Sequence, residues 1–222
     1  MFEYEIDRGK RKNVYILIKS GKVLVRVPKR FPEYKINSIL KEKEKWIIKK
    51  LEEYKDAKRE EHYFKEGEKF YILGKEYILK INNTNKKRAF IDIENENLCI
   101  YKNQDLDLKE KQIEAMLEKF YLKLAKIEIP KILELVAKEV ELYPSSYSIK
   151  NMKRAFGNCN SKKEIHLNKN LVKYSKKAIY YVCLHEICHL KYMNHSKDFW
   201  KMVSKYMPDY KNAEKELKNE IV

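Results

Sequence analysis

The stretch His185-Glu186-Ile187-Cys188-His189-Leu190-Lys191-Tyr192-Met193-Asn194-His195-Ser196-Lys197-Asp198-Phe199-Trp200 decides how the rest of the chain is read. Its first five residues form an HExxH pattern. Each helical residue turns by ~100°, so His185 and His189 project from one face, one turn apart. Two imidazoles so placed can hold one metal ion, and zinc suits nitrogen donors in tetrahedral geometry. Glu186 is rotated away from direct ligation. It can reach a water on the ion and serve as general base for attack on a carbonyl or phosphoryl centre.

A catalytic zinc keeps three protein ligands and one open position. His195 is the nearest third candidate. On an unbroken helix it would lie ~80° off the face of His185, so the chain must turn after about Leu190. Asn194 and Ser196 are good N-cap residues for a following helix and place that turn where it is needed. Cys188 lies between the two ligands. As a fourth ligand it would close the site and make the zinc structural, whereas free cysteines are more often small buried core residues.

Outward from the motif, Lys176 to Leu190 reads as a helix. Ser196 to Met207 reads as another, closed by Pro208, and a last polar helix fills residues 209–220. Upstream, Tyr147 to Met152 and Glu164 to Leu167 are short strands. Leu108 to Leu142 carries a helical pattern with Ile113, Leu117, Phe120, Leu124 and Ile127 as its stripe. Pro130 should kink that helix or start a second one. The N-terminal half reads as hairpins around one helix. One hairpin joins Val14–Ile18 to Val23–Val27 across Ser20-Gly21. A second joins Phe70–Leu73 to Tyr77–Ile81 across Gly74-Lys75, and a third joins Ala89–Ile93 to Leu98–Tyr101. Ile36, Leu40, Ile47, Leu51 and Tyr54, with Ile39 and Trp46 beside them, repeat at helical spacing, and that helix runs to about residue 61. The expected organisation is a β-rich N-terminal lobe over 1–105 and a metallohydrolase lobe over 106–222, or one continuous domain.

Composition narrows the setting. The chain has 222 residues, 49 basic and 33 acidic, for a net charge of +16. No apolar run approaches the roughly 20 residues of a membrane span, and the charged first thirty residues lack a signal-peptide core. Four cysteines without a CxxC pair read as reduced thiols of a cytoplasmic protein. The charge is uneven. Residues 144–206 hold thirteen Lys and Arg against three acids, and residues 8–30 hold nine against none. The rest of the chain is slightly acidic. Such segments suit an anionic substrate or a nucleic acid, or are simply solvated lysine-rich faces.

The string from His185 to Trp200 resembles the YgjP-like metallopeptidases, whose signature joins HExxH to a third His, then Ser and a Phe-Trp pair. Lys153-Arg154-Ala155-Phe156-Gly157-Asn158-Cys159 falls where that family has a Trp-Gly-Ser-Cys segment. Ile165-His166-Leu167-Asn168 falls where it has a strand ending in Asn. The first hairpin, Pro28 and Lys45-Trp46-Ile47 are also similar, so the likeness spans nearly the whole chain. It implies an α+β, zincin-like fold with His185, His189 and His195 on a catalytic zinc and Glu186 as base. Phe156, Asn158 and Ala155 depart from the family pattern, which bears on substrate contacts rather than on the metal. Metzincins also place five residues between their second and third His, but with Gly in the middle where this chain has Tyr192.

The family's members are called peptidases, while UTP pyrophosphatase activity is also attached to it. Related SprT-like and WLM zincins cleave proteins crosslinked to DNA. The expected function is a zinc metallopeptidase acting on protein or peptide. The alternatives are a nucleoside triphosphate pyrophosphatase and a DNA-associated crosslink protease. Asn168, His166, Tyr192 and Arg154 are candidate substrate-binding or oxyanion residues.

Overall fold

The first hairpin forms as its alternating β-branched residues require. Strands β2 (Tyr15–Lys19) and β3 (Lys22–Pro28) pair antiparallel, and Val23, Val25 and Val27 point into a core. The computed structural model describes residues 2–19, 21–56, 64–153 and 155–218, without the side chains of 19 and 53–56. Strand β1 (Tyr4–Gly9), whose YEIDRG sequence is too charged to read as a strand, lies parallel to the other edge of β3. The single expected helix is two, α1 (Glu33–Glu42) and α2 (Glu44–Asp56), with Lys43 between them at φ −95° and ψ 7°. The break leaves Ile36, Leu40 and Ile47 all buried with the β3 valines. The expected continuation from residue 57 to 61 lies outside the described residues.

This sheet and its two helices belong to one compact unit, Met1–Glu61; the remainder, His62–Val222, is a second. The sequence expects a boundary at 105/106, whereas the division into compact units falls at 61/62. Strands β4 (Lys69–Ile72), β5 (Lys75–Asn83), β6 (Phe90–Glu94) and β7 (Asn97–Lys102) share one hydrophobic core with the C-terminal helices. Phe70, Ile72, Leu79, Leu98 and Ile100 would be half-covered without those helices, and their burial draws the sheet into the second unit. The sheet order is β4-β5-β7-β6, with both expected hairpins antiparallel and β5 parallel to β7.

Helix α3 (Glu110–Val140) runs unbroken through Pro130. The proline removes the helical partner of the Lys126 carbonyl, and Lys126 is exposed, so water can serve that oxygen. The buried face also differs from the expected stripe. It runs Ile113, Leu117, Tyr121, Ala125, Ile129, Leu133, Val136, Ala137 and Val140, while Phe120 and Leu124 are half-buried and Ile127 is exposed. Steps of four residues advance ~40° each, so the buried face winds around the helix. That suits a helix which meets β6, a 3-10 turn (Lys169–Lys173) and helix α4 (Lys176–His189) along its length.

The last sheet is β8 (Ser146–Lys150), β10 (Glu164–Asn168) and β9 (Gly157–Cys159), with β10 central, parallel to β8 and antiparallel to the unexpected β9. Helix α4 starts at an N-cap, Ser175, whose hydroxyl accepts from the Ala178 N–H. The Gly74 turn packs so closely on this cap that a Cβ at Gly74 would lie 2.8 Å from the Ser175 Cα, and its φ of +79° suits only glycine well. Helices α5 (Lys197–Tyr206) and α6 (Tyr210–Lys218) follow. No helix among the described residues is long and apolar enough to cross a membrane.

Candidate metal centre

Ten of the fourteen residues of α4 are buried, among them Val182, Cys183, Leu184, Ile187 and Cys188. A helix apolar on all sides is a core helix, and the HExxH residues occupy its last turn. His185 and His189 share a face there, with Nε2 atoms 3.2 Å apart. The helix ends at Leu190, the chain turns, and the Ser196 hydroxyl accepts from the Phe199 N–H to start α5. This turn brings the His195 Nε2 to 2.9 Å from the His185 Nε2. One ring nitrogen from each of the three histidines lies within 4.8 Å of the others, and no Cys, Asp or Glu among the described residues joins the group. Cys188 is buried and apart from it, as the core reading expects.

The electronic state of the rings suits a cation. Burial, followed by the neighbouring His189 and His195, pulls His185 down to about 4, so the ring is neutral at ordinary pH. Burial also lowers His189. The His189 Nδ1–H donates to the Tyr192 carbonyl over 2.9 Å, which leaves its Nε2 lone pair facing the other rings. Ring nitrogens converging at 2.9 and 3.2 Å cannot all satisfy one another with hydrogen bonds alone. A tetrahedral ion resolves the arrangement.

Glu186 is 4% exposed, and its Oε2 has no hydrogen-bond partner among the described residues. Burial pushes its carboxyl up to about 8. The residue that shapes its surroundings is one that the motif does not contain. A Cβ at Gly157 in β9 would meet the Glu186 Oε1 at 2.8 Å and its Cγ at 2.9 Å. Strand β9 approaches the carboxylate because this position has no side chain. Phe199 is the second such residue. It is fully buried, and its ring lies 4.6–4.9 Å from all three imidazoles, as an apolar wall behind the cluster. The family resemblance pointed to both positions but not to either contact.

The remaining sequence candidates fall elsewhere. The Asn168 side chain accepts from the Asn170 N–H and donates to the carbonyls of Met152 and Ala155, so it ties down the segment before β9. The His166 ring meets the Ser148 hydroxyl at 2.7 Å and the Lys150 amine at 3.3 Å on the β8–β10 pair, outside the histidine cluster. Tyr192 contributes through its backbone carbonyl. Arg154 lies outside the described residues. Several basic residues counted near the motif are paired with acids from other segments: Lys169 with Glu118, Lys176 with Glu128, Lys177 with Asp209.

The model of the YgjP-like family, a metallopeptidase domain, matches residues 12–220. Among solved structures the chain is similar to the metallopeptidase zymogen abylysin of Pyrococcus abyssi, with 21% identity, a TM-score of 0.39, and cover of 42% of this chain and 94% of that one. It is also similar to the zymogen jannalysin of Methanocaldococcus jannaschii, with 24% identity, a TM-score of 0.39, and cover of 42% and 97%. No curated protein matches the sequence.

Proposed function

Because this chain belongs to the YgjP-like metallopeptidase family, we propose that it is a zinc-dependent peptidase with His185, His189 and His195 as metal ligands and Glu186 as general base. The observation that carries the reading is the convergence of three imidazoles beside the buried carboxyl of Glu186, which shares a helix turn with His185 and His189. Bound there, zinc would activate a water and polarise the scissile carbonyl. The chain supplies the rest. Helix α4 holds two imidazoles at fixed spacing, and the Tyr192 carbonyl sets the ring of His189. A carboxyl raised toward neutrality can both accept a proton from water and return it to a leaving amine. The ion's charge would draw that value down from about 8, toward the range in which the base form is present. Gly157 keeps β9 against the Glu186 carboxylate without displacing it.

The substrate class proposed is unfolded protein or peptide. The decisive experiment offers zinc-quantified wild type and Glu186→Gln an unfolded protein, with and without DNA, and separately UTP. Peptide cleavage by the wild type alone is expected. Pyrophosphate release from UTP without peptide cleavage would move the assignment to the nucleotide enzyme. Cleavage that needs DNA and weakens with salt would make the protein a crosslink protease. Equal activity of the two variants would sink the base assignment.

A further inference from the structure

His189 and His195 are held by different means. The first is 9% exposed and hydrogen-bonded through Nδ1 to a carbonyl. The second is exposed, follows a turn, and has no protein partner for its Nδ1 among the described residues. What it has is rings. Trp200 stacks on His195 with centroids 5.6 Å apart and planes at 22°. Tyr210, the first residue of α6, stacks on Trp200 at 5.3 Å and 20°. Tyr210 also stacks on Tyr181 at 6.0 Å and 16°. Tyr181 lies one helical turn before His185 and meets its ring edge at 5.9 Å. The circuit of rings therefore leaves α4 at Tyr181, crosses α6 and α5, and returns to the cluster at His195.

We propose that Trp200 and Tyr210 are positioning residues for His195, fixing by stacking a ring whose Nδ1 has no protein partner among the described residues. The inference rests on the reading of His195 as a metal ligand. An imidazole anchored at one side of its ring by a broad aromatic face loses freedom about χ2, as a ligand does when its second nitrogen is bonded. Tyr210 acts one step further away, by setting the indole plane. Helix α6, which the sequence presents as a polar tail, thus closes the wall of the centre.

The test is zinc affinity of the full chain, measured by competition with a chromophoric chelator. The chain has two tryptophans, so a Trp46→Phe background leaves Trp200 as the only indole reporter. Trp200→Leu should weaken zinc by about 10- to 100-fold, and Tyr210→Leu by a smaller factor. Trp200→Phe and Tyr210→Phe keep a ring and should recover most of the loss. In the Trp46→Phe chain the indole emission should change as zinc is taken up. Folded Trp200→Leu that binds zinc as the wild type does would overturn the proposal. If that variant does not fold, an indole emission indifferent to zinc uptake in the Trp46→Phe chain overturns it with the stacked rings intact. A wild type that takes up no zinc would refute the metal reading instead, a separate outcome.

Discussion

Helix α4 and the segment from Leu190 to Trp200 deliver imidazoles to one point by different physics. In α4 the two histidines are placed by helical periodicity inside a core that is closed on all sides. In the following segment the third histidine is exposed and is placed by a turn, a capped helix and stacked rings. Met193 in that turn is 58% exposed, whereas Leu184 in α4 has no exposed surface. The difference teaches that the centre joins a rigid half packed in the core to a half held by an exposed turn and stacked rings. The proposed base, Glu186, sits in the rigid one.

Removing the proposed base is the strongest challenge to this division. Glu186→Gln keeps the shape of the side chain but cannot carry the proton. Turnover should fall by roughly 10²–10⁴-fold with zinc content unchanged, checked by metal analysis alongside peptide hydrolysis. Moving the base without removing it comes next. Gly157→Ala places a methyl 2.8 Å from the Glu186 Oε1, and a displacement of about 1 Å can cost on the order of 100-fold. The expected signature is a loss in kcat with zinc retained. Full activity in this variant would show that β9 or Glu186 moves freely, and the rigid half would not be rigid.

Stability measurements sharpen the same contrast. Leu184→Ala should destabilise the protein by about 2–5 kcal/mol, read from denaturant unfolding. The buried carboxyl predicts a pH effect of opposite sign to the usual acid denaturation. Its folded value, about 8, lies above the ordinary 4.5, so protonation is favoured in the folded chain. That contribution is fully present below about 4.5 and is lost as pH rises through about 8. Metal-free wild type, compared with metal-free Glu186→Gln, should lose roughly 1.4 kcal/mol per pH unit across this window. A flat difference would mean that the carboxyl is solvated. Met193→Ser, in the turn, should change stability by no more than about 0.5 kcal/mol.

Legibility in the sequence follows locality. The HExxH spacing, the turn before Ser196 and the three hairpins depend on residues a few positions apart, and each stands where the sequence puts it. Strand β1 was not legible, because Glu5 and Asp7 interrupt its pattern and its pairing with β3 is parallel and distant in the chain. Those same acids answer the basic excess of residues 8–30: Asp7 pairs with Arg11 and Arg26, and Glu5 with Lys22. A count along the chain places charge without its counter-charge. The buried face of α3 departs from its hydrophobic stripe for a related reason, since small residues such as Ala125 and Ala137 are buried by close helix packing that no hydrophobic spacing announces.

From the sequence alone came the proposed metal chemistry, for two histidines and a glutamate at helical spacing are a local fact of geometry. Only the tertiary structure decided what stands around them. It sets Gly157 against Glu186, Phe199 behind the imidazoles, and the ring circuit through Tyr210 to His195. These contacts join residues that are tens of positions or one helix apart. Their energies depend on distances of a few ångströms, which packing fixes and residue order does not.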